Sequence, residues 1–196
     1  MTLTILCVTD GQPYAQPFID NMEQLAADLG FGFVEYDGTC AGYIENVLDD
    51  AIAECPDGYI LRLDDDERPD QTMIEWLAAR EYEATNHWAF PRYNLYPDEQ
   101  HYLTGLNLYP DLQTRLSIRA LSGGRNVIHC GSPYGTGQIA PCHIEHHKFL
   151  VRTVAERLAT SQRYESIKPG AAFLPFSVPE LHAHQLHIVE REAVVA

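Results

Sequence analysis

The sequence predicts an α/β fold built on a mostly parallel central sheet. Three observations predict it. Short apolar runs at Leu3–Val8, Phe31–Tyr36 and Tyr59–Leu63 read as buried strands. Amphipathic stretches separate them at lengths that suit right-handed crossover helices. Polar residues close each strand: Thr9-Asp10-Gly11, Asp37-Gly38 and Asp64-Asp65-Asp66-Glu67.

After the first strand, Thr9 to Pro13 is a turn. A helix follows from about Tyr14 to Leu29, because Phe18, Met22, Leu25, Ala26 and Leu29 recur on one face. Gly30 suits its C-cap. Tyr43, Val47, Leu48, Ala51 and Ile52 share the face of a second helix that stops before Pro56-Asp57-Gly58. Beyond the third strand, Pro69 suits the opening of a third helix, with Met73, Ile74, Leu77 and Ala78 inward and Arg80 near its end. The texture then changes. His87–Tyr93 reads as a strand. Tyr102–Arg119 is aromatic-rich and broken at Pro110-Asp111. Gly123-Gly124 is a turn, Asn126–His129 a short strand, and Gly131–Pro141 a glycine-bearing loop. A helix is predicted from about Lys148 to Tyr164, ended by Lys168-Pro169-Gly170. It carries Lys148, Arg152, Arg157 and Arg163, about a third of the chain's 13 Lys and Arg. The tail, 171–196, is apolar and His-bearing, with no pattern that assigns it. No repeat or linker appears, so 1–196 reads as one domain.

The totals exclude several classes. With 45% hydrophobic and 21% charged residues over 196 positions, the chain can bury a real core. A net charge of −15 disfavours general binding to a nucleic-acid backbone. No apolar run reaches membrane-spanning length, and Met1–Val8 lacks the basic start of a signal peptide. The five Cys at 7, 40, 55, 130 and 142 form no Cys-x-x-Cys, which predicts reduced thiols and a cytoplasmic location.

Four consecutive acids, Asp64 to Glu67, end the third strand. Their mutual repulsion needs a compensating charge, and a divalent cation supplies one through oxygen ligands. In extended backbone Asp64 and Asp66 point to the same side, one toward the cation and the other toward a ligand hydroxyl. A solvated acidic turn before a helix N-terminus uses the same residues for the dipole. Ligands of parallel α/β sheets sit beyond the carboxyl ends of the strands. Asp10, Asp37 and the acidic run all follow strand ends, which favours a site.

These residues resemble a family. Leu63 to Glu67 is similar to the Asp-x-Asp motif of GT-A fold glycosyltransferases, specifically family 2-like enzymes. Phe90-Pro91-Arg92-Tyr93-Asn94 resembles their Pro-Arg-x-Asn segment. Tyr109-Pro110-Asp111-Leu112-Gln113-Thr114-Arg115-Leu116 resembles the Tyr-Pro-Asp-x-Gln-x-Arg-Leu signature of a subgroup. Ile144-Glu145-His146-His147 resembles the Ile-x-His that closes the site, and Arg163-Tyr164 the end of the next helix. The matches run in order over roughly residues 1 to 170. The family carries His-Glu where this chain has His129-Cys130, and the chain is short for the family.

The resemblance implies a Rossmann-like GT-A domain, three-layer α/β/α. Residues 1–85 would form the nucleotide-sugar half, 86–170 the acceptor-facing half and 171–196 a tail. It implies inverting sugar transfer from a nucleotide-sugar, by default a UDP-sugar, to an unknown hydroxyl acceptor. Mn²⁺ or Mg²⁺ would sit on Asp66 and His146, with Asp64 a further ligand or facing the ribose or sugar. Asp10, Asp37, Asn46, Asp64, Asp65 and Arg92 are the nucleotide-sugar candidates, with Lys148 a further phosphate candidate. Asp111 is the candidate base, and Gln113 would hold sugar hydroxyls. Arg115 faces the diphosphate or pairs with an acid. Trp88, Tyr93, Tyr96 and Tyr109 either stack on sugars or fill the core. The turn residues Asp10 and Asp37, the helix-start residue His146, and Asp111 as the opener of a turn after Pro110 also have purely structural readings.

Three other functions compete with this reading. A zinc hydrolase would draw on His143, His146, His147 and Cys142 or Cys130, although no His-Glu-x-x-His is present. A non-catalytic GT-A-like module would only bind a nucleotide or partner. A nucleotidyltransferase would carry a basic phosphate loop after the first strand, where Thr9–Pro13 has no Lys or Arg.

Overall fold

A computed structural model describes residues 1–39, 42–123, 137–172 and 177–191. The strand expected at Asn126–His129, the cysteines Cys40 and Cys130, and most of the Gly131–Pro141 loop lie outside the described residues. The chain runs through β1 (Leu3–Thr9), α1 (Gln16–Leu29), β2 (Gly32–Asp37), α2 (Leu48–Glu54), β3 (Tyr59–Asp64), β4 (Glu67–Pro69) and α3 (Gln71–Ala78). It continues through β5 (His87–Phe90), β6 (Arg92–Asn94), β7 (His101–Thr104), β8 (Gln113–Ile118), β9 (Gln138–Ile139) and β10 (Ile144–His146). Last come α4 (Lys148–Val151), α5 (Val154–Ile167) and β11 (His187–Glu190).

The central sheet has six strands in the order β2-β1-β3-β8-β5-β9. β1 is parallel to β2 and β3, and β9 is parallel to β5. β8 is antiparallel to both its neighbours, so the sheet is mixed. A crossover helix imposes a parallel direction only where one follows a strand. β8 is reached through the Tyr109–Leu112 turn, with no such helix.

β1 is buried along its whole length, which needs cover on both faces. Its alternation supplies this. Leu3, Ile5 and Cys7 join Phe18, Met22 and Leu25 of α1 and Met73, Trp76 and Leu77 of α3. Leu6 and Val8 join Leu48, Ala51 and Ile52 of α2 on the other face. Each large side chain buried here contributes about 1.5–3 kcal/mol. Trp76 takes the inward place expected for Ala78, which is exposed. Trp88 is also a core residue, its Nε1 donating to the Tyr82 carbonyl at 2.8 Å.

Local chemistry moves three boundaries. Pro69 ends β4 and does not open α3, because Asp70 caps that helix by accepting from the Met73 N–H at 2.7 Å. The second helix starts at Leu48, after a 3₁₀ turn at Ile44–Asn46. The helix expected over Lys148–Tyr164 is two, α4 and α5. Thr153 and Glu156 form a capping box that starts a new helix.

A second sheet, β4-β10-β6, sits beside the first. It is antiparallel between β10 and β4, and parallel between β10 and β6. Pro91 carries the chain from the central sheet into it. The tail is docked as well. β11 pairs with β7, Arg191 binds Glu145 at 2.6 Å, and buried Arg157 binds Glu180 at 2.7 Å.

Candidate functional site

Strand register assembles one edge. Thr9 lies opposite Asp37 and Val8 opposite Asp64, so β1, β2 and β3 end together. β8 runs the other way and therefore begins there, with Gln113 opposite Phe90. The second sheet adds His146, flanked in its ladders by Glu67 and Asn94. Three cavities open along this edge, and α5 lines all three. One of about 340 Å³ is bounded by Arg92, Asp111, Gln113, His146, Lys148 and Tyr164, with Ala171 and Ser177 of the tail. One of about 110 Å³ is bounded by Asp10, Thr39, Tyr43, Asp65, Arg152 and Tyr164. The third, about 300 Å³, shares Asp10, Gln12, Arg152 and Arg163 with the second.

The acidic run does not stay extended. β3 stops at Asp64 and the chain turns at Asp65-Asp66, so Asp64 and Asp66 find different partners. Asp64 accepts from Arg115 at 2.5 Å, with Arg62 at 3.5 Å. Glu67 is wholly buried and accepts from Arg115 at 2.7 Å and Arg92 at 2.8 Å. Asp65 accepts from Thr9 Oγ1 at 3.1 Å and from the Asp10 N–H at 2.9 Å. Arg152 then spans the remaining charge, 3.1 Å from Asp66, 3.6 Å from Asp65 and 3.7 Å from Asp10. Its guanidinium also lies over the Tyr14 ring at 4.7 Å. The charge that compensates the acidic run is thus supplied by arginines.

Burial, with Asp66 and Asp10 nearby, pushes the Asp65 carboxyl up to about 8. Burial pushes Asp66 the same way, but Arg152 and Lys148 outweigh it and hold that group far below the usual carboxylate range. Burial also lowers Lys148, to about 8, against the pull of Asp66.

His146 Nδ1 lies 2.7 Å from Asn94 Oδ1, and its Nε2 lies 3.4 Å from Asp66 Oδ1. Burial, together with Arg92, brings the ring down to about 4, so it is neutral at pH 7. Among the described residues, no three His, Cys, Asp or Glu side chains converge as a metal cluster. Asp66 and His146 still fit a divalent cation. A carboxylate oxygen and an imidazole nitrogen face one another across a short gap, and ions such as Mg²⁺ are held by one or two protein groups plus substrate phosphates. Asp64, taken up by Arg115, does not join them.

Asp111 is held on both oxygens. Oδ2 accepts from Arg92 Nη2 at 2.6 Å, Arg92 Nε at 2.9 Å and Asn94 Nδ2 at 3.1 Å. Oδ1 accepts from Gln113 at 2.8 Å. Its φ of 36° lies in the left-handed region, unusual for a residue other than glycine. Burial raises its pKa, but Arg92 and Asn94 outweigh that and leave it below the usual value.

The other candidates scatter. Asp10 reaches two cavities. Asp37 is exposed and caps a turn, accepting from the Thr39 N–H at 2.9 Å. Asn46 is exposed on its 3₁₀ turn and lines none of the three cavities. Arg115 is buried beneath the site and lines none of them either. Tyr93 and Tyr109 stack with His143, at 4.1 Å and 6.1 Å, and Tyr96 packs on Phe149. The three neighbouring histidines diverge: His143 toward Tyr109 and Asp70, His146 toward Asn94 and Asp66, His147 toward Glu145 and Glu99. They form no shared zinc position, and His129 and Cys130 lie outside the described residues.

Sequence reasoning gave no role to Asn94 or Glu67 and treated Arg152 only as part of a basic helix. The signal for Arg152 was its place in that helix, opposite an acidic run that needs charge. Compared with protein-family models and with curated proteins, the chain matches none. Among the described residues, no helix is long and apolar enough to cross a membrane.

Proposed function

We propose that this chain is a metal-dependent, GT-A type glycosyltransferase that moves a sugar from a nucleotide-sugar, a UDP-sugar first, to a hydroxyl acceptor. One observation carries the reading. Asp66 joins two cavities: through Arg152 it touches the one bounded by Asp10, Thr39 and Tyr43, and through His146 the one bounded by Asp111 and Gln113. A nucleotide in the first and an acceptor in the second would bring a diphosphate and a sugar together at that junction.

Each residue then has a role. Asp10, Asp65 and Tyr43 would bind the nucleoside. Arg152 and Lys148 would hold the diphosphate oxygens. Asp66 and His146 would hold Mn²⁺ or Mg²⁺, which as a Lewis acid stabilises the leaving diphosphate. The acceptor oxygen attacks the anomeric carbon while the bond from that carbon to the phosphate oxygen breaks, and the diphosphate leaves with the electron pair. Asp111 Oδ1, with the Gln113 amide as its one donor among the described residues, keeps lone-pair capacity for the acceptor proton.

A second reading has its own support. Asp111 accepts four hydrogen bonds and its basicity is lowered, as suits a structural carboxylate in a non-catalytic nucleotide-binding module. Thermal shifts with UDP, GDP, dTDP and CMP and their sugars, each with Mn²⁺, Mg²⁺ or EDTA, test both. At a hundred times its dissociation constant a ligand adds about 2.7 kcal/mol of stability. A metal-dependent shift with one nucleotide class is expected. No shift with any nucleotide refutes both readings, and binding without turnover of the bound sugar-nucleotide favours the module.

A further inference from the structure

Asn94 is wholly buried beside the junction, and none of the roles above uses it. It stands opposite His146 in the β6–β10 ladder, so the two side chains leave the same face of the sheet. Its Nδ2 lies 2.7 Å from the Leu108 carbonyl oxygen and 3.1 Å from Asp111 Oδ2. Both partners only accept, so the amide nitrogen must face them. Oδ1 therefore faces the imidazole, 2.7 Å from Nδ1. Oδ1 also only accepts, so Nδ1 carries the ring proton. With the proton on Nδ1, Nε2 is the ring nitrogen left to ligate a cation. Nε2 lies 3.4 Å from Asp66 Oδ1, beyond the ordinary hydrogen-bond range of about 2.7–3.2 Å.

We propose that Asn94 is the positioning residue of the cation site. It fixes His146 as the Nδ1–H tautomer, and so turns Nε2 and the Asp66 carboxylate into a pair of donors for one divalent ion. The same amide holds Asp111, so one buried side chain sets both the cation pair and the candidate base. The proposal rests on the metal-dependent reading above. Partners that orient a ligating imidazole typically contribute about 10–100-fold to metal affinity.

The experiment has two readouts. Long-range ¹H–¹⁵N correlation spectra of the metal-free protein at neutral pH, with His146 assigned through His146→Gln, report its tautomer directly. Mn²⁺ binding in the presence of UDP, followed by the electron paramagnetic resonance of free Mn²⁺, reports the site without turnover. The wild type is expected to show a pyrrole-type Nδ1 and a pyridine-type Nε2. Asn94→Leu should move the proton to Nε2 and weaken Mn²⁺ binding by about 10–100-fold. A ring protonated at Nε2 and bare at Nδ1 in the wild type overturns the proposal, even if Asn94→Leu fails to fold. Unchanged tautomer and affinity in Asn94→Leu also overturn it. The expected tautomer with no Mn²⁺ binding in the wild type instead overturns the metal-dependent reading, and the role of Asn94 with it.

Discussion

Replacing Arg115 with Met should unsettle the fold while sparing the cavities. The side chain is 2% exposed, and its Nη2 donates to Asp64 at 2.5 Å and Glu67 at 2.7 Å. Met keeps an unbranched stem and removes the charge. Glu67 retains Arg92 at 2.8 Å, whereas the ion pair left to Asp64 among the described residues is with Arg62, at 3.5 Å. Breaking a buried ion pair from one side costs about 3–5 kcal/mol. Against this, Arg115 Nε and Nη1 have no hydrogen-bond partner among the described residues, so losing them returns about 1 kcal/mol or more. A net loss of about 2–4 kcal/mol is expected. At about 2–4 °C per kcal/mol for a chain of this size, Tm should fall by about 4–16 °C. The pH dependence has a definite sign. Burial and Asp64 already push Glu67 up to about 8, and removing Arg115 pushes both acids further. The native variant then binds more protons than its unfolded chain, so its stability falls as pH rises. Urea and thermal melts at pH 5 and pH 8 should show the larger deficit at pH 8. A Tm within about 2 °C of wild type, or a deficit that grows on acidification, would refute the structural role.

Three further predictions concern the junction. Asp65, pushed up from 3.8 to about 8, contributes stability that is complete below its unfolded value and lost as pH rises through about 8. Asp65→Asn, whose oxygen can still accept from Thr9 and Asp10, should flatten that loss across urea midpoints from pH 4 to 9; an unchanged slope would reject the assignment. Lys148 stands at about 8, and a diphosphate beside it would raise that value. UDP binding at pH 8 should therefore take up protons, seen as heats that vary with buffer ionisation enthalpy and vanish in Lys148→Met; buffer-independent heats in the wild type count against the contact. Asp111→Asn should keep donor binding and lose about 10²–10⁴-fold in turnover. Loss of both would make Asp111 structural, and full turnover would remove it from the reaction.

The first half of the fold was legible because periodicity and punctuation agreed there. Leu3–Thr9 is buried on both faces, Gly30 closes α1 at φ 68°, and the three strand ends meet at one edge. The second half was not. Pro91 hides a change of sheet inside one apolar run, and the Tyr109–Leu112 turn hides the antiparallel entry of β8. The capping box at Thr153 also divides a run that otherwise reads as one helix. The tail eluded pattern reasoning because β11 is an exposed strand held by pairing and by Arg191, so burial leaves no alternation in it. At the site, the acids were visible in the sequence. Their partners were not, since Arg92, Arg115 and Arg152 lie far along the chain and meet the run only through strand register and the placement of α5.

That pairing bears on what a metal would do here. Were the cation the main compensation for Asp64–Glu67, removing it would leave buried charge unpaired at a cost of about 3–5 kcal/mol. Arg62, Arg92, Arg115 and Arg152 already meet those carboxylates. Folding should therefore not need the metal, and the cation should matter only when a diphosphate adds charge beside Asp66. The expected outcome is a Tm that moves by less than about 2 °C when EDTA is added to the protein alone, set against a metal-dependent rise once UDP is present. Melts with EDTA, Mn²⁺, UDP and Mn²⁺ plus UDP separate the two cases. A large fall with EDTA alone would mean that the arginines do not balance the acidic run and that the cation belongs to the fold. A rise with Mn²⁺ that UDP does not enlarge would place the ion away from the diphosphate, and Asp66 and His146 would no longer be its ligands in transfer.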